Sequence, residues 1–240
     1  MIILVTGGSS GLGESITRQL AENPDNQVYF TYTKSIDNAK KIETELENAV
    51  ALKCDFRSID EVNELAGKLP DLNIDTLINN VYSGEFLISH FHKIAVTDFS
   101  NAFQHNVLPT IMLTQAAIKI FRKKKFGKII TILTTALVNT PPVGSSVYIA
   151  NKAYLQTLSK IWATENMKYN ITSNTISPAF MLTVFTQTMD ERLVEQIVAN
   201  HPLNQLLRTE EVAECVDFFV KSTQQINGVD LILNSGINIK

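Results

Sequence analysis

Residues 6–13 read Thr6-Gly7-Gly8-Ser9-Ser10-Gly11-Leu12-Gly13 and follow directly on the apolar run Ile2-Ile3-Leu4-Val5. A short buried strand thus enters a glycine-rich turn, after which Ile16 and Leu20 fall on one helical face. Strand, glycine turn and helix in that order place backbone amides and a helix N-terminus where they can hold the pyrophosphate of a dinucleotide. Gly7 allows the tight turn, Gly11 lets the backbone approach the phosphates, and Gly13 lets the helix pack against the strand. The spacing is G-x-x-x-G-x-G rather than G-x-G-x-x-G, so the loop is one residue longer.

Outward from this turn, apolar blocks and helical patterns alternate along the chain. Strands are expected at Ile2–Thr6, Val28–Tyr32, Val50–Lys53, Thr76–Asn79, Lys128–Thr134, Thr172–Ser177 and Val229–Leu233. Helical patterns occupy about 11–22, 35–48, 58–68, 97–124, 146–168 and 209–221. Such alternation predicts a parallel sheet covered by helices on both faces. Right-handed crossovers bring all strand C-termini to one edge, so the glycine turn, Asp55, Asn79-Asn80, Thr134 and Ser177-Pro178 are expected to line one crevice. The segment at about 183–202 is an insertion before the last helix–strand pair. With Met181, Leu182, Val184, Phe185, Met189, Leu193 and Ile197 it is apolar, and suits either core packing or a lid over the crevice.

Composition bounds the function. The 240 residues are 45% hydrophobic, enough for a core with two helical layers. No stretch is apolar for long enough to span a bilayer, and a core strand stands where a leader would begin, which predicts a cytoplasmic protein without a membrane partner. Cys54 and Cys215 are far apart in apolar contexts and read as free thiols. A net charge of −3 gives no general attraction for nucleic acid. The run Arg122-Lys123-Lys124-Lys125, with Lys128 beyond it, reads as a solvated helix end or as a docking patch for an acidic partner. His90 and His92 lack a third nearby ligand, so no metal is expected.

Of the six tyrosines, Tyr148 alone has a lysine four residues on, Lys152, near the start of a helix. That spacing puts phenol and ammonium on one helical face. A phenol titrating near ~10 is a weak acid or base at neutral pH, and a neighbouring ammonium, together with a positively charged nicotinamide, brings it towards a useful range.

Thr6–Gly13, Asn79-Asn80 and Tyr148-x-x-x-Lys152, in that order and spacing, resemble the short-chain dehydrogenase/reductase family, and especially its 3-oxoacyl-carrier-protein reductase-like members. The resemblance extends over essentially the whole chain. Gly127–Thr134 is similar to the family's fifth strand, Asn170–Pro178 to its sixth, and Leu206–Ala213 with Ile226–Gly236 to its C-terminal helix and last strand. It implies a single Rossmann-like domain over 1–240, a doubly wound parallel sheet of about seven strands.

The resemblance also implies roles. Gly7, Ser9, Ser10, Gly11, Leu12 and Gly13 would hold the pyrophosphate, and Thr33 and Lys34 the adenosine ribose. Asp55, with Phe56, would meet the adenine, and Asn79 and Val81 would lie along the riboses. Tyr148 matches the general acid/base and Lys152 the residue that binds the nicotinamide ribose. Asn106 matches the helix asparagine that holds a proton-relay water. Pro178, Met181 and Thr183 match contacts to the carboxamide and pyrophosphate. The usual substrate-binding serine is replaced by Thr134, preferred from the strand alignment, or by Thr135, from the distance to the tyrosine. N-N-A-G reads Asn79-Asn80-Val81-Tyr82, and the usual P-G reads Pro178-Ala179.

The function expected is an NAD(P)-dependent oxidoreductase interconverting a carbonyl and a secondary alcohol. The alternative is a nucleotide-binding module with weak or no turnover, which Thr134 and Tyr82 favour and the intact Tyr148, Lys152 and Asn106 oppose. NADP is expected over NAD, because Thr31–Ser35 has no carboxylate after the second strand and Lys34 suits a 2′-phosphate. The expected substrate is a small-molecule or acyl-carrier-linked ketone, with the basic run as the carrier's dock. A homotetramer is expected through the long helices, using Leu108, Ile111, Met112, Gln115 and Ile118 on the first and Leu155, Leu158 and Trp162 on the second.

Overall fold

The structure, a computed structural model, describes residues 1–84, 88–183 and 191–237. These residues form one seven-stranded sheet in the order β3-β2-β1-β4-β5-β6-β7, with every neighbouring pair parallel. The strands are β1 (Ile2–Val5), β2 (Gln27–Tyr32), β3 (Ala49–Lys53), β4 (Thr76–Asn79), β5 (Gly127–Ile132), β6 (Ile171–Pro178) and β7 (Asp230–Leu233). The helices are α1 (Gly11–Ala21), α2 (Ile36–Glu45), α3 (Ile59–Leu72), α4 (Val96–Lys124), α5 (Ser146–Asn166), α6 (Glu191–Ala199) and α7 (Thr209–Lys221). The chain is therefore an α/β protein with a doubly wound sheet.

Strand alternation divides the core into two layers. Ile3, Val5, Ile78, Ile130 and Ile132 face α1, α2 and α7, where they meet Ile16, Leu20, Ile42, Val216 and Phe219. Leu4, Leu77 and Ile129 face the other way, against Val62 and Leu69 of α3, Leu113 and Phe121 of α4 and Trp162 of α5. A parallel strand covered on both faces must be apolar at consecutive positions, and Ile2–Val5 is. Helix α3 runs past its expected end through Pro70 and stops at Asn73, whose left-handed backbone (φ 51°) and N–H to the Leu69 carbonyl close the last turn.

Two surface expectations are corrected by the packing. Lys128 is only 3% exposed, and its ammonium donates to the carbonyl oxygens of Phe219 and Ser222 at the end of α7. It closes a helix C-terminus and is no part of a docking patch. Arg122 donates to Asn166 and lies over the Tyr169 ring, and Lys124 pairs with Asp75. This basic cluster precedes β5, whereas the strand ends that carry Thr134 and Pro178 lie at the opposite edge of the sheet. The five steps along the six residues of β5, at about 3.3 Å each, put roughly 17 Å between the two edges. Likewise Leu155 and Trp162 are not outward-facing, being buried inside the protomer.

Candidate active site

A cleft of about 980 Å³ runs along the C-terminal edge of the sheet. Residues from the loops after β1 to β6 line it, as strand direction in a doubly wound sheet requires. At one end is the glycine loop. Gly7 (φ +66°) and Gly11 (φ +52°) adopt left-handed backbone that disfavours any side chain. A Cβ on Gly13 would stand 1.9 Å from the Gly7 carbonyl oxygen and 2.7 Å from Asn80 Nδ2. Gly13 thus lets the helix pack on the loop itself, rather than on the strand. Gly8, passed over in the sequence, has as strong a reason: its Cβ would lie 2.5 Å from Thr17 Oγ1 and 2.6 Å from Phe30 Cβ.

Several polar groups hold this loop in shape. Gly7 N–H donates to Thr31 Oγ1 at 2.7 Å and Gly8 N–H to the Thr31 carbonyl at 2.9 Å. Asn80 donates to the Thr6 carbonyl at 2.9 Å, and Asn38 donates to the Ser9 carbonyl at 2.6 Å. Ser10, the residue before α1, makes no side-chain cap, so the first-turn amides of the helix face the cleft. Positive-φ glycines, a cradle that a Cβ would fill and uncapped helix amides fit a pyrophosphate. Thr33, Lys34 and Asp55 line the cleft beyond the loop. The Asp55 carboxylate accepts from Arg57, whose guanidinium holds its pKa below the usual range. Arg57 also lines the cleft, a position that no motif in the sequence marks.

At the other end are the titratable residues. Thr134 and Tyr148 line the same cleft, and of the two threonines it is the Thr134 side chain that opposes the rise in the Tyr148 pKa, which favours Thr134. Thr134 is fixed because its Oγ1 accepts from Ala136 N–H at 3.2 Å, capping the short 3-10 turn Thr135–Leu137. Lys152, one helical turn from Tyr148, donates to the Ile132 carbonyl at 2.7 Å. Burial lowers its pKa to about 8. Tyr148 departs from expectation: burial, then the neighbouring Tyr82, push its pKa well above the ordinary phenol value, against a smaller opposing effect of Thr134. The ammonium is 5.8 Å from the Tyr148 ring centre and turned to a carbonyl, so desolvation wins over charge stabilisation.

Three expected site residues do not line the cleft. Asn79 is 5% exposed, and its amide donates to Thr114 at 3.1 Å and Thr131 at 3.5 Å, within the α4 side of the sheet. The strand's two-residue period turns Asn79 inward, and Asn80 takes the place by the loop. Phe56 is 2% exposed and belongs to the core against α3. Asn106 is buried with its side chain bound to the Ser83 backbone and the Ala102 carbonyl. Ser9, Ser10, Leu12, Val81, Pro178, Met181 and Thr183 all line the cleft, as does Ile197 of α6. Val184, Phe185 and Met189 lie outside the described residues, as does the side chain of Leu193. Ala179 needs no glycine, since its N–H donates to the Leu233 carbonyl at 2.8 Å in ordinary backbone. Among the described residues no three His, Cys, Asp or Glu side chains group as metal ligands, and no helix is long and apolar enough to cross a membrane.

Comparison with known proteins agrees with this geometry. Residues 7–238 match the family model described as enoyl-(acyl carrier protein) reductase. The chain is 28% identical over 242 residues to a 3-oxoacyl-(acyl-carrier-protein) reductase of Buchnera aphidicola, covering 97% of this chain and 95% of that protein. It is 28% identical over 243 residues to carbonyl reductase family member 4 of Xenopus laevis, covering 99% and 98%. A solved structure of a short chain dehydrogenase/reductase family protein, 29% identical, superposes with a TM-score of 0.85 over 98% of this chain and 96% of that one. With its glycine cradle and tyrosine–lysine turn at the two ends of one cleft, the chain belongs to the short-chain dehydrogenase/reductase family, in the group that this model describes, and is an NAD(P)-type oxidoreductase.

Proposed function

We propose that this enzyme reduces a ketone to a secondary alcohol with Tyr148 as the proton donor, preferring NADP(H). The observation that carries the reading is Tyr148, Thr134 and the buried Lys152 together in the cleft that also holds the glycine cradle. The coenzyme, when bound, supplies the hydride. Thr134 and Tyr148 hold the carbonyl oxygen through their hydroxyls, and Tyr148 gives its proton to that oxygen as charge develops there. A phenol whose pKa is raised by burial stays protonated through the neutral range, which favours the reductive direction. Lys152 would hold the nicotinamide ribose, and Gly7, Gly11, Leu12 and Gly13 the pyrophosphate.

The NADP preference is supported by Thr33 and Lys34 in the cleft wall, where Lys34 has no ion-pair partner among the described residues. For substrate we propose an acyl-chain ketone, with a 3-oxoacyl group on a carrier protein as the first choice. Met181 and Ile197 give the wall of the cleft near Tyr148 hydrocarbon character, and the segment at about 183–202 would act as a lid on one domain spanning 1–240. We also infer a homotetramer, for which Tyr154 and Ile161 of α5, exposed at 46% and 42%, and half-buried Leu158 offer apolar surface.

NADPH oxidation measured with carrier-linked and soluble 3-oxoacyl substrates tests the activity. Tyr148→Phe should reduce kcat by about 10²- to 10⁴-fold and leave the coenzyme Kd within about twofold. Retention of more than a tenth of the turnover would remove Tyr148 as donor. Coenzyme binding with no turnover on either substrate class would favour a binding module instead.

A further inference from the structure

The loop after β4 is held from two sides. On the α4 side, Asn106 Oδ1 accepts from Ser83 N–H at 2.6 Å while its Nδ2 donates to the Ser83 carbonyl at 3.2 Å. On the α5 side, the adjacent Tyr82 lands on a single helical turn. Its ring meets the Tyr148 ring edge-on at 5.0 Å, and its face lies 5.7 Å from Lys152 Nζ. Behind the two rings is a second cavity of about 260 Å³, bounded by Ser83, Asp98, Asn101 and His105. Tyr82, Ser83, Gly84 and Tyr148 line both cavities, and of these the two rings are the large side chains that stand between them.

We propose that Tyr82 is a positioning residue of this enzyme: it seals the Tyr148–Lys152 pair from the rear chamber and fixes the ammonium against both rings, and Asn106 acts through it by locking Ser83. The inference rests on the reading of Tyr148 and Lys152 as the catalytic pair. A cation within 6 Å of two ring centres is attracted to both and loses rotamer freedom, so the ring does more than fill space. In the family pattern this position is glycine, which makes neither contact, so the device is carried by this chain's own residue. Removing the ring would join the chambers and admit water to groups whose pKa values are now set by burial. The charged or titratable groups facing the pair are then Lys152 itself on α5 and, across the rear chamber, Asp98 and His105 on α4.

The test compares Tyr82→Ala, which opens the partition, with Tyr82→Phe, which keeps the ring. Phenolate absorbance titrated without substrate or coenzyme should show one ionisation moved down by about one pH unit in Tyr82→Ala. That ionisation should vanish when Tyr148→Phe is added. In turnover, Tyr82→Ala should lower kcat about tenfold with a KM change under about threefold, and Tyr82→Phe should recover most of that loss. Asn106→Ala should shift the same ionisation, and Tyr82→Ala with Asn106→Ala should be no worse than Tyr82→Ala alone. An unmoved ionisation in Tyr82→Ala, or losses that multiply in the double variant, would overturn the proposal. Because the titration needs no turnover, a shift seen in a protein that reduces no ketone would uphold the positioning role and sink the catalytic reading separately.

Discussion

The ammonium of Lys152 donates to the carbonyl oxygen of Ile132 at 2.7 Å, from a side chain that is 5% exposed. One hydrogen bond therefore ties α5 to the end of β5 and sets the height of Lys152 relative to Tyr148 on the preceding turn.

Burial with a single neutral acceptor makes this lysine costly, with a definite pH sign. Its folded pKa, about 8, lies below the ordinary 10.5. Between those values the unfolded chain holds a proton that the folded chain has released, so the contribution of Lys152 to stability rises with pH across that window and is constant below it. Lys152→Met removes the titration. The stability of wild type relative to Lys152→Met should thus increase from pH 8 to 10.5, by roughly 3 kcal/mol. Parallel denaturant titrations giving a pH-independent difference would show that the ammonium is solvated.

Two glycine-to-alanine changes should have opposite effects. In Gly13→Ala the new methyl would sit 1.9 Å from the Gly7 carbonyl oxygen, so the loop must move and dinucleotide affinity should fall by about tenfold or more. Gly67 is exposed within α3 with nothing within 4 Å of its Cβ position. There Gly67→Ala should stabilise by about 0.5–1 kcal/mol and leave affinity alone. Calorimetric binding together with thermal unfolding separates the two.

Coenzyme preference should depend on Lys34. Lys34→Glu should weaken NADPH binding by about tenfold through loss of a charge-assisted bond and addition of a repulsive carboxylate, with NADH changed little. Fluorescence titration giving equal losses for both coenzymes would detach Lys34 from the 2′-phosphate.

The basic cluster at the far edge of the sheet makes a negative prediction for a carrier-linked substrate. Lys123→Glu with Lys125→Glu should leave KM for such a substrate within about twofold, because roughly 17 Å of strand separates these side chains from the cleft edge. A KM rise confined to the carrier-linked substrate would mean that the carrier reaches across the protomer or docks on a neighbouring copy.

Local pattern was sufficient for the fold. The run Ile2–Val5 into Thr6–Gly13, repeated strand–helix alternation and Tyr148-x-x-x-Lys152 dictated a parallel sheet, a phosphate-binding turn and a helical acid/base pair, because backbone period and glycine stereochemistry act over a few residues. Which side chains face the cleft was settled by contacts between segments far apart in the chain. A one-residue difference in strand phase sends Asn79 into the core and Asn80 to the loop. The side chain that acts on Tyr148 across the cleft is that of Thr134, and the C-terminus of α7 takes Lys128 from the surface. The same holds for Tyr148 itself: spacing supplied the lysine that should lower its pKa, but burial beside Tyr82 raises it. Desolvation depends on everything packed around a group, which no local spacing encodes.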